Sequence, residues 1–161
     1  MVYSQFVRKI THPALFSAYL FRHLPAAWFL GLRVLACDRR AAKVRLRYGW
    51  HSRNPFRSIY FAAQCAAGEL STGVLALGAI QEAGEPVSML IVGMNAAFLK
   101  KAKETLVFVC EDGEGLQAAV RQAIESGEPV IFDARSRGLL PDGTTASETV
   151  IRWSFKRKSK K

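Results

Sequence analysis

The chain has 161 residues, half of them hydrophobic and 22% charged, a composition that fits one globular domain with a true core and excludes an intrinsically disordered chain. Its formal net charge of +10 favours anionic partners such as nucleic acid, phospholipid surfaces or phosphorylated cofactors, although solvated basic faces that keep a protein soluble fit the same charge. The longest stretch without a charged side chain is residues 86–99, short of the roughly 20 residues a spanning helix needs, so no transmembrane segment is expected.

At the N-terminus Arg8 and Lys9 precede an apolar stretch, superficially like a secretion signal. That stretch contains Pro13 and Tyr19, runs into Arg22 and His23 and has no clear cleavage site, so it reads as a domain helix and the protein as cytoplasmic. Residues 1–30 form one or two amphipathic helices on this reading. His12 and Pro13 open a helix at Ala14, with Leu15, Phe16, Tyr19 and Leu20 at helical spacing, and residues 26–30 are a short apolar connector.

Residues 31–48 alternate like a hairpin with one wet face: Val44, Leu46 and Tyr48 against Lys43, Arg45 and Arg47, with Asp38, Arg39 and Arg40 as the turn. A loop over residues 49–57 leads to a long helix over residues 58–80, for which Ser58 is the expected N-cap. Such a helix would span roughly 35 Å. Strands follow over residues 87–98 and 104–110, then a short helix over 116–126 and strands over 130–138 and 145–156. The organisation expected is an N-terminal helical segment over residues 1–30, one domain over 31–155 and a solvated basic tail over 156–161.

The long helix is apolar or small nearly all round, with Ala62, Ala63, Ala66, Ala67, Gly68 and Gly73 in its middle, which predicts a buried helix. Glu69 breaks that pattern. An ionised carboxylate there costs several kcal/mol unless it is paired, hydrated or used, so the position is a functional candidate. Cys37, Cys65 and Cys110 are odd in number, lack a Cys-x-x-Cys pair and have no convincing histidine partner, so they read as small buried hydrophobes and no metal site is expected. One long helix among mostly antiparallel strands is an α+β arrangement in which the sheet curls around the helix.

With Asn54-Pro-Phe-Arg-Ser-Ile-Tyr-Phe61 leading to the helix, Glu69 fifteen residues after Asn54, and Met94-Asn95-Ala-Ala-Phe-Leu-Lys-Lys-Ala102 on the next strand, the chain resembles the hotdog-fold thioesterases. The resemblance is to the phenylacetate-degradation (PaaI-like) branch and, more narrowly, to an uncharacterised thioesterase-like hotdog family; the element order carries it over residues 31–155. It implies a hotdog fold with an N-terminal helix and one inserted short helix. It also implies a homodimer, or a tetramer, whose substrate is an acyl-CoA or related acyl thioester, coenzyme A entering as part of the substrate and no other cofactor being needed. By the same resemblance Glu69 is the nucleophile or general base, working across a dimer interface. Asn54 positions water or substrate, and the Phe61 N–H at the helix start polarises the thioester carbonyl, as a helix N-terminus can. Three features depart from that pattern. Tyr60-Phe61-Ala62 stands where His-Gly-Gly is usual, the acid is Glu rather than Asp, and Ile91 falls near the position of a strand Ser or Thr.

Bland readings stand beside these. Glu69 also fits a structural acid pairing an Arg across a dimer, and Asn54 an ordinary turn residue. Tyr60, Thr72, Lys100, Lys101 and Arg135 are expected substrate contacts, the lysines as point charges for phosphates, yet each also fits pocket wall, packing or solvated surface. The rival functions are a non-catalytic acyl- or acyl-CoA-binding hotdog protein and, less favoured, a basic nucleic-acid or membrane-surface protein.

Overall fold

The structure is a computed structural model that describes residues 2–158; the remainder of the expected basic tail, residues 159–161, lies outside the described residues. Three helices come first: α1 (Val2–Thr11), α2 (Pro13–His23) and α3 (Pro25–Phe29). His12 caps α2, its Nδ1 accepting the Leu15 N–H at 3.4 Å, and Pro13 sits in the first turn, where its missing N–H costs nothing. Of residues 26–30, expected as a connector, 26–29 are helical and Leu30 is the C-cap, because Pro25 preorganises a first turn in the same way.

Strands β1 (Arg33–Cys37) and β2 (Ala42–Leu46) form the expected hairpin. Its turn is fixed by Asp38, whose Oδ1 accepts the N–H groups of Arg40 at 2.7 Å and Ala41 at 2.8 Å, and these bonds hold the carboxyl below its ordinary pKa. The long helix α4 (Phe61–Ala83) follows, then β3 (Val87–Phe98), β4 (Leu106–Cys110), α5 (Gly113–Ser126), β5 (Val130–Leu139) and β6 (Thr145–Arg157). All six strands are antiparallel in the order β1-β2-β4-β5-β6-β3, so β1 and β3 are the edges.

Helix α4 starts three residues later than the sequence suggests. Its N-cap is Tyr60, with no side-chain cap bond, because Ser58 is drawn into the preceding loop, where its hydroxyl meets Asn54 Oδ1 at 3.2 Å. Gly84, with φ of 70°, ends it. By length and composition α4 could cross a membrane, but 72% of its most apolar window is buried in the fold. Strand β6 takes in Lys156 and Arg157, paired with Ser88 and Val87 of β3, so the ordered sheet runs into the expected tail.

The sheet wraps α4 closely, and small residues make that possible. Gly68 meets the Thr149 side chain so tightly that a Cβ there would collide with Thr149 Oγ1. Ala63, Ala67 and Ala76 are buried to within 1% of completely. Two polar pairs in this seam are satisfied locally: the Ser71 and Ser136 hydroxyls bond at 2.7 Å, and Trp153 Nε1–H donates to Thr72 Oγ1 at 3.0 Å. Thr72 in turn donates to the Glu69 carbonyl at 2.9 Å. Helix α5 buries Leu116, Ala119, Val120 and Ala123, packing against α4, β5 and β6.

Replacing a helical glycine by alanine ordinarily stabilises by up to about 1 kcal/mol. Gly68→Ala is expected to do the reverse, because overpacking costs about 1–3 kcal/mol, or several degrees in Tm. Thermal unfolding of Gly68→Ala alone and with Thr149→Ala checks this; most of the loss should disappear in the double variant.

Candidate functional site

Glu69 lies in the third turn of α4 and is the one carboxylate on the buried part of that helix. Its side chain reaches forward over Gly73, where a Cβ would stand 3.2 Å from Glu69 Oε1 and 3.6 Å from the Trp153 ring. A larger residue at 73 would push the carboxylate away. Glu69 lines a cavity of about 550 Å³ between α4 and the N-terminal helices, walled by Ile10, Phe16, Leu20, Leu70, Val74 and Leu77. Burial in this apolar wall raises the carboxyl's pKa above the ordinary 4.5. Among the described residues no cation of the same chain pairs with it.

The helix start forms a second, shallower cleft of about 370 Å³ that gathers Asn54, Phe61, Gln64, Phe98, Lys100 and Lys101. The Tyr60 carbonyl accepts from Ala63 at 3.1 Å and Gln64 at 3.2 Å, which leaves the N–H groups of Phe61 and Ala62 without a protein acceptor among the described residues. Asn54 Oδ1 accepts from the Phe56 N–H at 3.0 Å and from the Ser58 N–H and hydroxyl, both at 3.2 Å. These bonds hold the loop in which Arg57 takes a left-handed φ of 56°, so the Asn54 oxygen does structural work and only its amide NH₂ points to further use. The Ile59 N–H donates to Ala102 O at 2.8 Å and ties the same loop to the lysine-bearing segment.

Four of the expected site residues, Asn54, Phe61, Lys100 and Lys101, therefore share one cleft, while Glu69 lines another cavity. Tyr60 flanks the first, half-exposed, its ring against Phe61 at 4.8 Å. Thr72, expected as a substrate contact, is completely buried with its hydroxyl committed to Trp153 and to the helix, which corrects that expectation. Arg135 lies on the exposed side of β5, paired across from Val150, and lines neither site. Burial pushes the Cys37 thiol up to about 11 and Cys110 up to about 12, so both are protonated at neutral pH. Among the described residues no three His, Cys, Asp or Glu side chains converge to hold a metal ion.

Two site features escape the sequence reading. Trp153 borders Glu69 from β6, a juxtaposition that only the sheet register creates. Helix α2 also lines the Glu69 cavity: Phe16 and Leu20 are buried, whereas Leu15 and Tyr19 line it while staying 55% and 50% exposed. The sequence carries only the apolar stripe of Leu15, Phe16, Tyr19 and Leu20, which fits packing as well as a cavity wall.

A six-stranded antiparallel sheet curled around one long central helix is the hotdog fold, and solved structures bear this out. A protein of unknown function from Chlorobaculum tepidum superposes with a TM-score of 0.76 at 13% identity, covering 94% of this chain and 99% of that one. A Pseudomonas aeruginosa protein of unknown function, described as a probable thioesterase, gives 0.76 at 18% identity, covering 93% and 99%. A thioesterase from Haemophilus influenzae gives 0.65 at 10% identity, covering 90% of each chain. No curated protein matches the chain. The chain belongs to the domain of unknown function DUF4442, whose pattern matches residues 12–137.

Because the fold holds Glu69 with a raised pKa, its neutral form is favoured on folding. That stability is complete below the unfolded-state value and is lost as pH rises through the folded-state value. Glu69→Gln, which cannot ionise, is expected to raise Tm at neutral pH, with the advantage shrinking toward about pH 4. Thermal melts across pH check it.

Proposed function

We propose that the protein hydrolyses an acyl thioester, with an acyl-CoA as the natural form of the substrate, and that Glu69 is the reacting carboxylate. The observation that carries this is a carboxylate without a cationic partner among the described residues, half-buried in the wall of an apolar cavity of ligand size. Desolvation makes such a carboxylate a stronger base than a surface one, which suits proton abstraction from water or direct attack on the carbonyl. The fold's kinship with structures described as thioesterases supports the same chemistry.

Carbonyl polarisation falls to the N-terminus of α4, where the free Phe61 N–H and the helix dipole favour a developing oxyanion. Eight residues separate Phe61 from Glu69, about 12 Å along one helix. One thioester cannot touch both on the same protomer. The reading therefore requires a second copy whose Phe61 N–H faces Glu69 across a two-fold axis.

Strand β3 supports that assembly. It is an uncharged edge strand, and Ile91, Met94 and Phe98 lie opposite the buried Trp153, Ile151 and Ser147 yet remain 39%, 45% and 45% exposed. Among the described residues Phe98 is met by the Phe61 ring at 6.1 Å, yet this core side of the sheet edge stays largely exposed, which fits a homodimer in which two β3 edges pair and each subunit covers the other. Lys100 and Lys101, just beyond β3, stand beside the Phe61 cleft, where they suit the phosphates of coenzyme A. Asn54 contributes its amide NH₂ to the same end of the substrate.

Glu69→Gln is expected to lower kcat by at least about a hundredfold on a panel of acyl-CoA esters while leaving the far-UV circular dichroism unchanged. In the active protein kcat/KM should rise with pH through a midpoint above the ordinary 4.5. Undiminished turnover by the Gln variant would remove Glu69 from the mechanism, and binding without turnover by the wild type would identify an acyl-binding protein. Met94→Lys on the exposed β3 edge should shift the sedimentation coefficient toward the monomer and abolish turnover with it.

A further inference from the structure

We propose that α1 and α2, together with α4, form the pocket for a medium- or long-chain fatty acyl group, with Leu77 as the residue that sets the length it accepts. This rests on the reading of Glu69 as the reacting carboxylate. Glu69, Gly73, Leu77 and Gln81 recur at four-residue intervals on one face of α4, and all four line the same cavity. Twelve residues at helical rise extend that face about 18 Å beyond the carboxylate.

The direction of the pocket follows from what fills the other sides of Glu69. Trp153, held by its bond to Thr72, closes the side toward the sheet. Gly73 lines the same cavity and places no side chain between the carboxylate and Leu77 along α4, and the other walls of that cavity come from α1 and α2. Along that path the walls are Ile10, Phe16, Leu20, Leu70 and Val74, all buried and apolar. The polar side chains lining the cavity besides Glu69 are Lys9, Tyr19, His23 and Gln81, with Gln81 at the far end of the α4 face.

An acyl carbonyl at Glu69 thus has an apolar channel of about 550 Å³ for its chain, within the usual range of ligand pockets. Each methylene buried there tightens binding about fourfold, so a long chain gains what a short one cannot. The half-exposed Leu15 and Tyr19 on α2 gain a role as part of this wall, which simple packing against α4 would not require of them.

The test measures kcat/KM for butanoyl-, octanoyl-, dodecanoyl- and hexadecanoyl-CoA with the wild type, Leu77→Trp and Leu77→Ala. The wild type is expected to favour dodecanoyl over butanoyl by at least tenfold. Leu77→Trp should lower that ratio at least tenfold, and Leu77→Ala should move the optimum toward the longer esters. A wild-type preference for butanoyl, or an unchanged ratio in both variants, would overturn the proposal. So would a Leu77→Trp variant that alters dimer dissociation with no change in chain-length profile, since the cavity would then belong to the subunit contact. If no ester is hydrolysed, the catalytic reading fails by itself, and calorimetric titration of dodecanoate and hexadecanoate tests the pocket. Binding that Leu77→Trp weakens at least tenfold sustains the pocket; absence of binding overturns it.

Discussion

The fold depends on one close approach, that of the small-residue face of α4 to the concave side of the sheet. Gly68 against Thr149 sets the distance, and the Ser71–Ser136 and Thr72–Trp153 bonds satisfy four polar side chains that so tight a seam would otherwise strand. A bulky residue in the middle of the helix would lift it from the sheet and open the curl. The same seam spends the Thr72 hydroxyl on packing and brings the Trp153 ring beside Glu69. Packing and the proposed chemistry therefore meet at this point in the molecule.

In the proposed reaction the working groups lie at two places along one helix. A carboxylate in the third turn and free N–H groups in the first cannot meet at one atom on a rigid helix, so that proposal carries a symmetric second copy with it. The largely exposed core side of β3 is the matching feature at the sheet edge. A spacing along α4 and an exposure pattern on β3, observations of different kinds, both support the proposed second copy.

Much of this was legible in the sequence. The period-two alternation around Val44 and Leu46, the continuous apolar run of β3 and the small residues of α4 each reflect a burial pattern that local composition records. Glu69 stood out because a charge in an apolar helix conflicts with its surroundings, and the structure places it on a cavity wall with no cation partner among the described residues. The start of α4 was misplaced because Ser58, a good cap by type, is held by Asn54 in a loop whose geometry depends on Arg57's unusual φ. Thr72 and Trp153 could not be read as partners, since 81 positions separate them and only strand register joins them. The role of α2 as a cavity wall was hidden for a related reason: an amphipathic stripe says that a face is covered, not what covers it.

Strand β3 has a further consequence, for the order in which the chain can fold. Among the described residues its one neighbour in the sheet is β6, whose residues come about 50 to 70 positions later. During synthesis twelve residues without a single charge therefore emerge and wait, with neither edge satisfied, while β4, α5 and β5 are made. Long-range pairing of this kind is slow, and an unpaired apolar strand is what chaperones and aggregation compete for. The last strand made is thus the one that gives β3 a neighbour within its own chain, and the sheet closes only when β6 docks between β5 and β3.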